Sequence, residues 1–235
     1  PQSVQDPVRS YEINVTGTLR MLEAAREAGV ETFVFAASSA AYGESEELPK
    51  VETMTPQPCS PYASGKVAGE HLLSVYGRVH GMRTVSLRYF NIFGPRQADD
   101  SPYTGVIAIF AKALLEGRQA KIYGDGEQTR DFTYVENVVH ANLAALERRL
   151  PPGTVVNVGT GERITINALY SAMADLVGVE PRPEHLAPRA GDVRHPVARL
   201  ARARDLLGYA PSVPWRPGLA ATVDWYRERL GAARA

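Results

Sequence analysis

The chain has 235 residues, of which 44% are hydrophobic, enough to bury one sizeable core or two closely packed lobes. Its 26 lysines and arginines balance 26 aspartates and glutamates, and that neutrality argues against nucleic acid or a membrane surface as a partner. A single cysteine, Cys59, excludes a disulfide framework and points to a reducing, cytoplasmic setting. No apolar run is long enough to span a membrane. The histidines (His71, His80, His140, His185 and His195) lack metal-ligand spacing, so no metal site is expected.

Residues 1–7 are polar, carry Pro1 and Pro7, and read as a loop. Val8, Tyr11, Val15, Leu19, Leu22 and Ala25 recur at helical spacing and predict a helix over 8–28 that Gly29 stops. Residues 32–37 read as a short buried strand. It runs into Ser38-Ser39-Ala40-Ala41-Tyr42-Gly43, small residues that permit close approach of a ligand. An acidic, proline-bearing loop over 44–60 follows. A helix then opens at Ser60-Pro61-Tyr62 and continues to about His80, where Gly81 ends it. Residues 83–88 form a second strand, followed by Tyr89-Phe90-Asn91-Ile92-Phe93-Gly94-Pro95-Arg96. Helix, strand, helix, strand is the rhythm of an α/β protein with a doubly wound parallel sheet. Ligands in such sheets sit beyond the carboxyl ends of the strands. Ser38 and Asn91 both lie there, and Tyr62 opens the helix between them.

Beyond Pro95 the pattern loosens. Residues 97–104 read as a polar loop, with helices over 106–116, 135–149, 165–177, about 199–207 and 217–230. Strands are expected over 120–123, 131–134 and 154–158. Gly124-Asp125-Gly126 and Gly159-Thr160-Gly161 read as turns. No G-x-G-x-x-G, the loop that seats a dinucleotide pyrophosphate on a helix N-terminus, stands in these residues.

Tyr62 and Lys66 are four residues apart, so on a helix they share a face. A phenol ordinarily titrates near ~10, and a fixed ammonium beside it, reinforced by a cationic cofactor, favours the phenolate. Taken alone, Y-x-x-x-K is a common chance match on helix faces. Its neighbours raise its meaning. In order along the chain stand Asn14-Val15-Thr16-Gly17-Thr18, the Ser38–Gly43 segment, Tyr62-x-x-x-Lys66, and Arg88 through Arg96. Then come Gly124-Asp125-Gly126 with Arg130-Asp131-Phe132, and Arg189-x-Gly191-Asp192-Val193-Arg194-His195. Together these resemble the extended short-chain dehydrogenase/reductases, specifically the nucleotide-sugar 4-epimerases, over nearly the whole chain.

The resemblance implies a Rossmann-like sheet lacking its first βα units, on the order of 80 residues. The chain is therefore expected to be a fragment, inactive alone. Residues 1–95 would form the carboxyl-terminal part of an NAD-binding domain, with 130–150 packing back on it. Residues 96–235 would mainly form a smaller nucleotide-sugar-binding domain. The implied reaction is NAD-dependent C4 epimerisation of a UDP-sugar through a 4-keto intermediate. Tyr62 takes the proton of the sugar 4-OH while hydride passes to NAD+, Ser38 bonds the 4-oxygen, and Lys66 binds the nicotinamide ribose. Asn14 and Tyr89 match further cofactor-side positions. Asn91, Arg130 and Arg189 match positions that hold the diphosphate, where a guanidinium fork suits paired oxygens. Tyr123 matches the position that stacks on uracil, and Asp192 the one that bonds the uridine ribose. The resemblance also implies a homodimer packed through the helices at 8–28 and 61–80.

Related 4,6-dehydratases carry Asp-Glu where Ser39-Ala40 stand, and nucleotide-sugar decarboxylases carry a glutamate at the position of Ala40. Neither carboxylate is present, which favours simple epimerisation. Gly105 and Pro196 match two positions that wall the sugar pocket, filled by Asn and Tyr in some epimerases restricted to glucose and galactose. Small residues there leave room for a 2-acetamido group. The run 191–195 is similar to the UDP-N-acetylglucosamine 4-epimerase subgroup, which tends to have Ser at 196. The expected substrates are UDP-glucose and UDP-galactose together with their N-acetylated counterparts. Another nucleotide-sugar reductase, dehydratase or decarboxylase, or a non-catalytic nucleotide-sugar-binding protein, remains the alternative reading.

Overall fold

The computed structural model describes residues 2–98, 105–188 and 196–232. Three parallel strands form the main sheet, in the order β1 (Thr32–Ser38), β2 (Arg83–Tyr89) and β7 (Thr154–Val158). Their register sets Ser38 level with Tyr89, and Tyr89 level with Val158. The three carboxyl ends are therefore flush, and everything that follows each strand opens on the same edge.

One face of this sheet is covered by α3 (Gly17–Glu27) and α4 (Pro61–His80), which bury Leu22, Ala25, Leu73 and Tyr76 with Phe35 of β1. The other face carries α6 (Val135–Glu147) and α8 (Ala201–Leu207), packed over Val85, Leu87, Val156 and Val158. The main sheet thus draws on residues both before and well after position 96. A second core lies beside it. There α5 (Val106–Leu115), α7 (Ile166–Val177) and α9 (Trp215–Ala232) enclose Phe93, Phe110, Ile122, Phe132 and Leu169. Its strands are short pairs: β3 (Ile92–Phe93) with β6 (Thr133–Tyr134), β4 (Lys121–Tyr123) with β9 (Glu184–Leu186), and β5 (Thr129–Arg130) with β8 (Ile164–Thr165).

Helix α4 is delimited as its sequence predicts. The Ser60 hydroxyl oxygen accepts from the Ala63 amide at 3.2 Å, Pro61 fills the first turn, and Gly81 closes the helix in the left-handed region at φ 71°. Small residues let α4 lie close to its neighbours. A methyl group at Gly69 would sit 2.4 Å from the Phe35 ring, and one at Gly65 would sit 3.0 Å from the Asn14 Cβ. Gly69→Ala is expected to cost about 1–3 kcal/mol, because the ring must leave its place in a packed core. Urea unfolding reads this directly, and an unchanged midpoint would show that α4 can lift without penalty.

Three expectations are corrected. Residues 2–5 form a helical turn, α1 (Gln2–Gln5), not a loop, and α2 (Pro7–Tyr11) runs through a π-helical turn over Glu12–Thr16 into α3. The apolar stripe of that long helix is only half buried. Leu22 and Ala25 are covered, whereas Val8, Tyr11 and Leu19 are exposed, because α2 and the π turn lie against α4 rather than on the sheet. Residues 32–37 form an edge strand with Ala36 exposed, not a fully buried one. Finally, the strand expected over 131–134 is interrupted. Asp131 turns its carboxylate inward, so β5 ends before it and β6 begins after Phe132.

Candidate active site

Ser38 closes β1, and its Oγ accepts from the Ala40 amide at 3.2 Å, capping a 3₁₀ turn over Ser39–Tyr42. That bond uses the oxygen as an acceptor and leaves the hydroxyl proton to donate. Tyr62 stands in the first turn of α4, and Lys66 one turn further on. The Lys66 ammonium lies 5.1 Å from the Phe35 ring centroid and 5.7 Å from that of Tyr62. Burial pushes its pKa down. Among the described residues, no hydrogen-bond acceptor is within reach of the Lys66 ammonium and none takes the proton of Tyr62 or Ser38. Half-buried donors without protein acceptors are costly unless a ligand supplies them.

Three cavities are lined by the residues of interest, and two of them adjoin through Asn91 and Arg130. Ser38, Tyr89, Asn91, Arg130 and Pro196 line one of about 510 Å³. Asn91 and Arg130 also line the next, about 430 Å³, with Gly105 and Tyr123. Asn14 and Tyr62 line a third, about 480 Å³, while Ser60 and Ala63 on either side of Tyr62 face the Ser38 cavity. Arg189 and Asp192 lie outside the described residues.

Local bonds orient several of these groups. Asn14 donates to the Ser10 carbonyl at 2.9 Å, within the π turn that Gly65 allows to approach α4. The Tyr89 hydroxyl donates to Asn142 Oδ1 at 3.0 Å, and burial pushes its pKa up. Asn91 donates to the Asp131 carbonyl at 3.0 Å and accepts from the Thr133 amide through its own carbonyl at 3.1 Å. Arg130 donates to the Thr129 carbonyl at 2.8 Å. The small size of Gly105 has a second cause, since a methyl group there would meet the Gln97 amide nitrogen at 2.9 Å.

The sequence reading passed over two residues. Lys50 is almost completely buried, bonds the Ser45 carbonyl, and lines the Ser38 cavity. Its one sequence signal is the rarity of lysine in this chain. Asp131 stands inside a motif whose arginine alone attracted a role, yet it is fully buried and accepts four hydrogen bonds. No group of three or more His, Cys, Asp or Glu among the described residues could hold a metal ion. No helix among them is long and apolar enough to cross a membrane.

Residues 1–159 match the NAD dependent epimerase/dehydratase family. A UDP-glucose 4-epimerase of Mycolicibacterium smegmatis is 42% identical over 229 residues, covering 97% of this chain and 72% of that protein. The chain belongs to the NAD dependent epimerase/dehydratase family. Among solved structures it is similar to a UDP-N-acetylglucosamine 4-epimerase from Methanobrevibacter ruminantium in complex with UDP-N-acetylmuramic acid. That likeness has a TM-score of 0.93 at 36% identity and covers 97% of this chain and 73% of the other. A UDP-glucose 4-epimerase of Thermus thermophilus in complex with NAD gives a TM-score of 0.86 at 41% identity, covering 96% and 73%. The Rossmann-like parallel sheet predicted from sequence is the fold of these family members. As in any family of this breadth, the site rather than the fold must argue the reaction.

Proposed function

We propose that this family member is an NAD-dependent UDP-hexose 4-epimerase. The observation that carries the reading is a set of three polar groups placed by the end of β1 and the first two turns of α4. They are the Ser38 hydroxyl, the Tyr62 phenol and the Lys66 ammonium, whose donors find no protein acceptor among the described residues.

The residues present fit NAD on its nicotinamide side. Lys66 has unspent donors for ribose hydroxyls, and the Asn14–Tyr62 cavity lies next to it. Bound there, NAD+ would supply a reversible hydride acceptor for the sugar C4. Tyr62, as phenolate, takes the proton of the 4-OH. Ser38 donates to the 4-oxygen and holds it while the ketone forms. The 4-keto sugar turns to present its other face to the hydride donor, and Tyr62 gives the proton back to the 4-oxygen. Lys66, one turn further along the same helix face, binds the nicotinamide ribose. Tyr89 completes the cofactor side. Asn91, Arg130 and Arg189 hold the diphosphate, Tyr123 stacks on uracil, and Asp192 bonds the uridine ribose.

Ser39 and Ala40 line the Ser38 cavity and offer no carboxylate at the two positions where related dehydratases and decarboxylases carry one, which supports epimerisation without loss of water or carbon dioxide. The full-length, NAD-loaded protein should interconvert UDP-galactose and UDP-glucose with no net change in absorbance from reduced cofactor. Stoichiometric accumulation of NADH would instead establish a dehydrogenase and end this reading.

Gly105 and Pro196 present little bulk to the two cavities they line, which supports acceptance of 2-acetamido sugars beside UDP-glucose and UDP-galactose. Pro196→Tyr should raise KM for UDP-N-acetylgalactosamine about tenfold or more and leave UDP-galactose within about threefold, since one pocket contact is worth roughly 1–3 kcal/mol. Equal losses on both sugars would count against a pocket wall at this position.

Residues 1–95 form the cofactor side, helped by 130–150, and most of 96–235 the nucleotide-sugar side. The packing of α6 on β1 and β2 supports that division. A homodimer through the helices at 8–28 and 61–80 is supported by apolar side chains left uncovered there, notably Val8, Ile13, Met21, Val75 and Val79. A cytoplasmic location accords with the exposed free thiol of Cys59.

A further inference from the structure

Asp131 is completely buried, yet no cation pairs with it among the described residues. Its Oδ1 accepts from the Thr160 amide at 2.8 Å and the Thr160 hydroxyl at 2.7 Å. Its Oδ2 accepts from the Gly161 amide at 3.0 Å and the Ala198 amide at 3.1 Å. Its own carbonyl accepts from Asn91. Burial pushes the carboxyl pKa up, while the four donors pull it back. A buried carboxylate without a counter-ion is an expensive way to fill space, and an apolar residue would do that better.

What the carboxylate holds explains its presence. Thr160 and Gly161 form the turn after β7, and Ala198 lies two residues beyond Pro196. Asn91 follows β2, and Arg130 precedes Asp131 in the chain. Gly159 permits the approach, because a methyl group there would meet Asp131 Oδ2 and Ala198 Cβ, each at 2.8 Å. Around Ala198 the segment is bridged to Lys50, whose amide donates to the Val197 carbonyl at 2.8 Å and whose carbonyl accepts from Arg199 at 2.9 Å. Asn91, Arg130, Lys50 and Pro196 all line the Ser38 cavity. They come from four separate stretches of chain; Asp131 joins those of Asn91, Arg130 and Ala198, and the Lys50 stretch is bridged to the last of these.

We infer that Asp131 is a positioning residue that sets the spacing between the Asn91–Arg130 wall and the Pro196 wall, and through it the affinity for the nucleoside diphosphate part of the substrate. This rests on the proposed role of Arg130 as a diphosphate ligand. Asp131 itself touches neither substrate nor cofactor. It acts through walls whose strand pairing is limited to two-residue ladders and a single bridge, too short to fix their separation.

The test is titration of UDP into NAD-loaded protein by calorimetry, with kcat and KM for UDP-galactose measured alongside. Asp131→Asn keeps the shape but turns an amide NH₂ towards backbone N–H donors. It should weaken UDP binding and raise KM at least about tenfold, with kcat within about threefold and bound NAD unchanged. Loss of kcat at constant KM, or loss of NAD in step with UDP, would overturn the inference, since a general loosening of the fold moves all three. Arg130→Met separates the two claims. UDP affinity that falls in Arg130→Met but holds in Asp131→Asn rejects the clamp. The reverse result keeps the clamp and rejects the diphosphate role of Arg130. If Asp131→Asn does not fold, Thr160→Val and Thr160→Ser decide. Valine removes one donor and should raise KM about threefold, and serine should restore it. Identical KM values for the two would also overturn the inference.

Discussion

Tyr62→Phe is expected to lower kcat for UDP-galactose epimerisation by about 10³-fold while KM stays within about threefold, the usual scale for loss of a positioned general base. The reasoning starts from α4. Ser60 and Pro61 define its first turn, so Tyr62 occupies the helix entrance rather than its buried flank, and Lys66 follows one turn later on the same side. The phenylalanine ring keeps the contact with the Lys66 ammonium and loses only the oxygen. Binding should therefore survive, and the loss should fall on the chemical step. Ser38→Ala should give a smaller loss, since the proposed role of that hydroxyl is to bond the reacting oxygen and not to act as the primary base. A kcat within tenfold of the parent enzyme after Tyr62→Phe would remove Tyr62 from the mechanism. Cofactor retention, measured on the same protein, shows whether α4 is still in place.

The largest effect on stability is expected at Glu70. Its carboxylate takes a two-pronged grip from Arg88, Nε to Oε1 and Nη2 to Oε2, both at 2.8 Å. The side chains are 7% and 3% exposed, so water cannot replace a lost partner. The Arg88 guanidinium also lies 4.7 Å from the Tyr42 ring centroid. Burial works against its charge, but the Glu70 carboxylate outweighs that and holds the arginine pKa above its ordinary value. Its Nη1 has no hydrogen-bond partner. Glu70→Leu would leave a cation stranded in the core and should cost about 3–5 kcal/mol. Glu70→Leu with Arg88→Met should recover most of that loss, because a matched apolar pair carries no desolvation penalty. Urea unfolding of the two single variants and the double variant completes the cycle. Additive losses would mean that the pair is not coupled. Glu70 lies one turn beyond Lys66 on α4 and Arg88 lies next to Tyr89 on β2, so the pair also ties the helix of the proposed base to the strand that ends at the site.

The elements of this fold follow from local signals. Apolar periodicity located α3, α4, α6 and α7. Ser60-Pro61 and Gly81 bounded α4 almost to the residue, because caps and left-handed positions depend on neighbours a few residues away. The family motifs identified Ser38, Tyr62 and Lys66 for the same reason, since each sits at a strand end or first helical turn whose position the chain itself defines. Burial was a different matter. Val8, Tyr11 and Leu19 share a periodic stripe with Leu22 and Ala25, but what covers a helix is set by distant strands, and here those positions face outward.

The sequence by itself determined the alternation of elements, the parallel sheet, the residues at its carboxyl edge, and the absence of a carboxylate at Ser39 and Ala40. Only the tertiary structure decided that the Ser38 cavity adjoins its neighbour through Asn91 and Arg130 and that Glu70 faces Arg88. It also decided that Asp131 ends β5 in order to hold Thr160, Gly161 and Ala198. Those contacts join residues from 18 to 67 positions apart. No local pattern encodes them, because a buried charge or acceptor is satisfied by whatever the fold brings to it rather than by its neighbours in the chain.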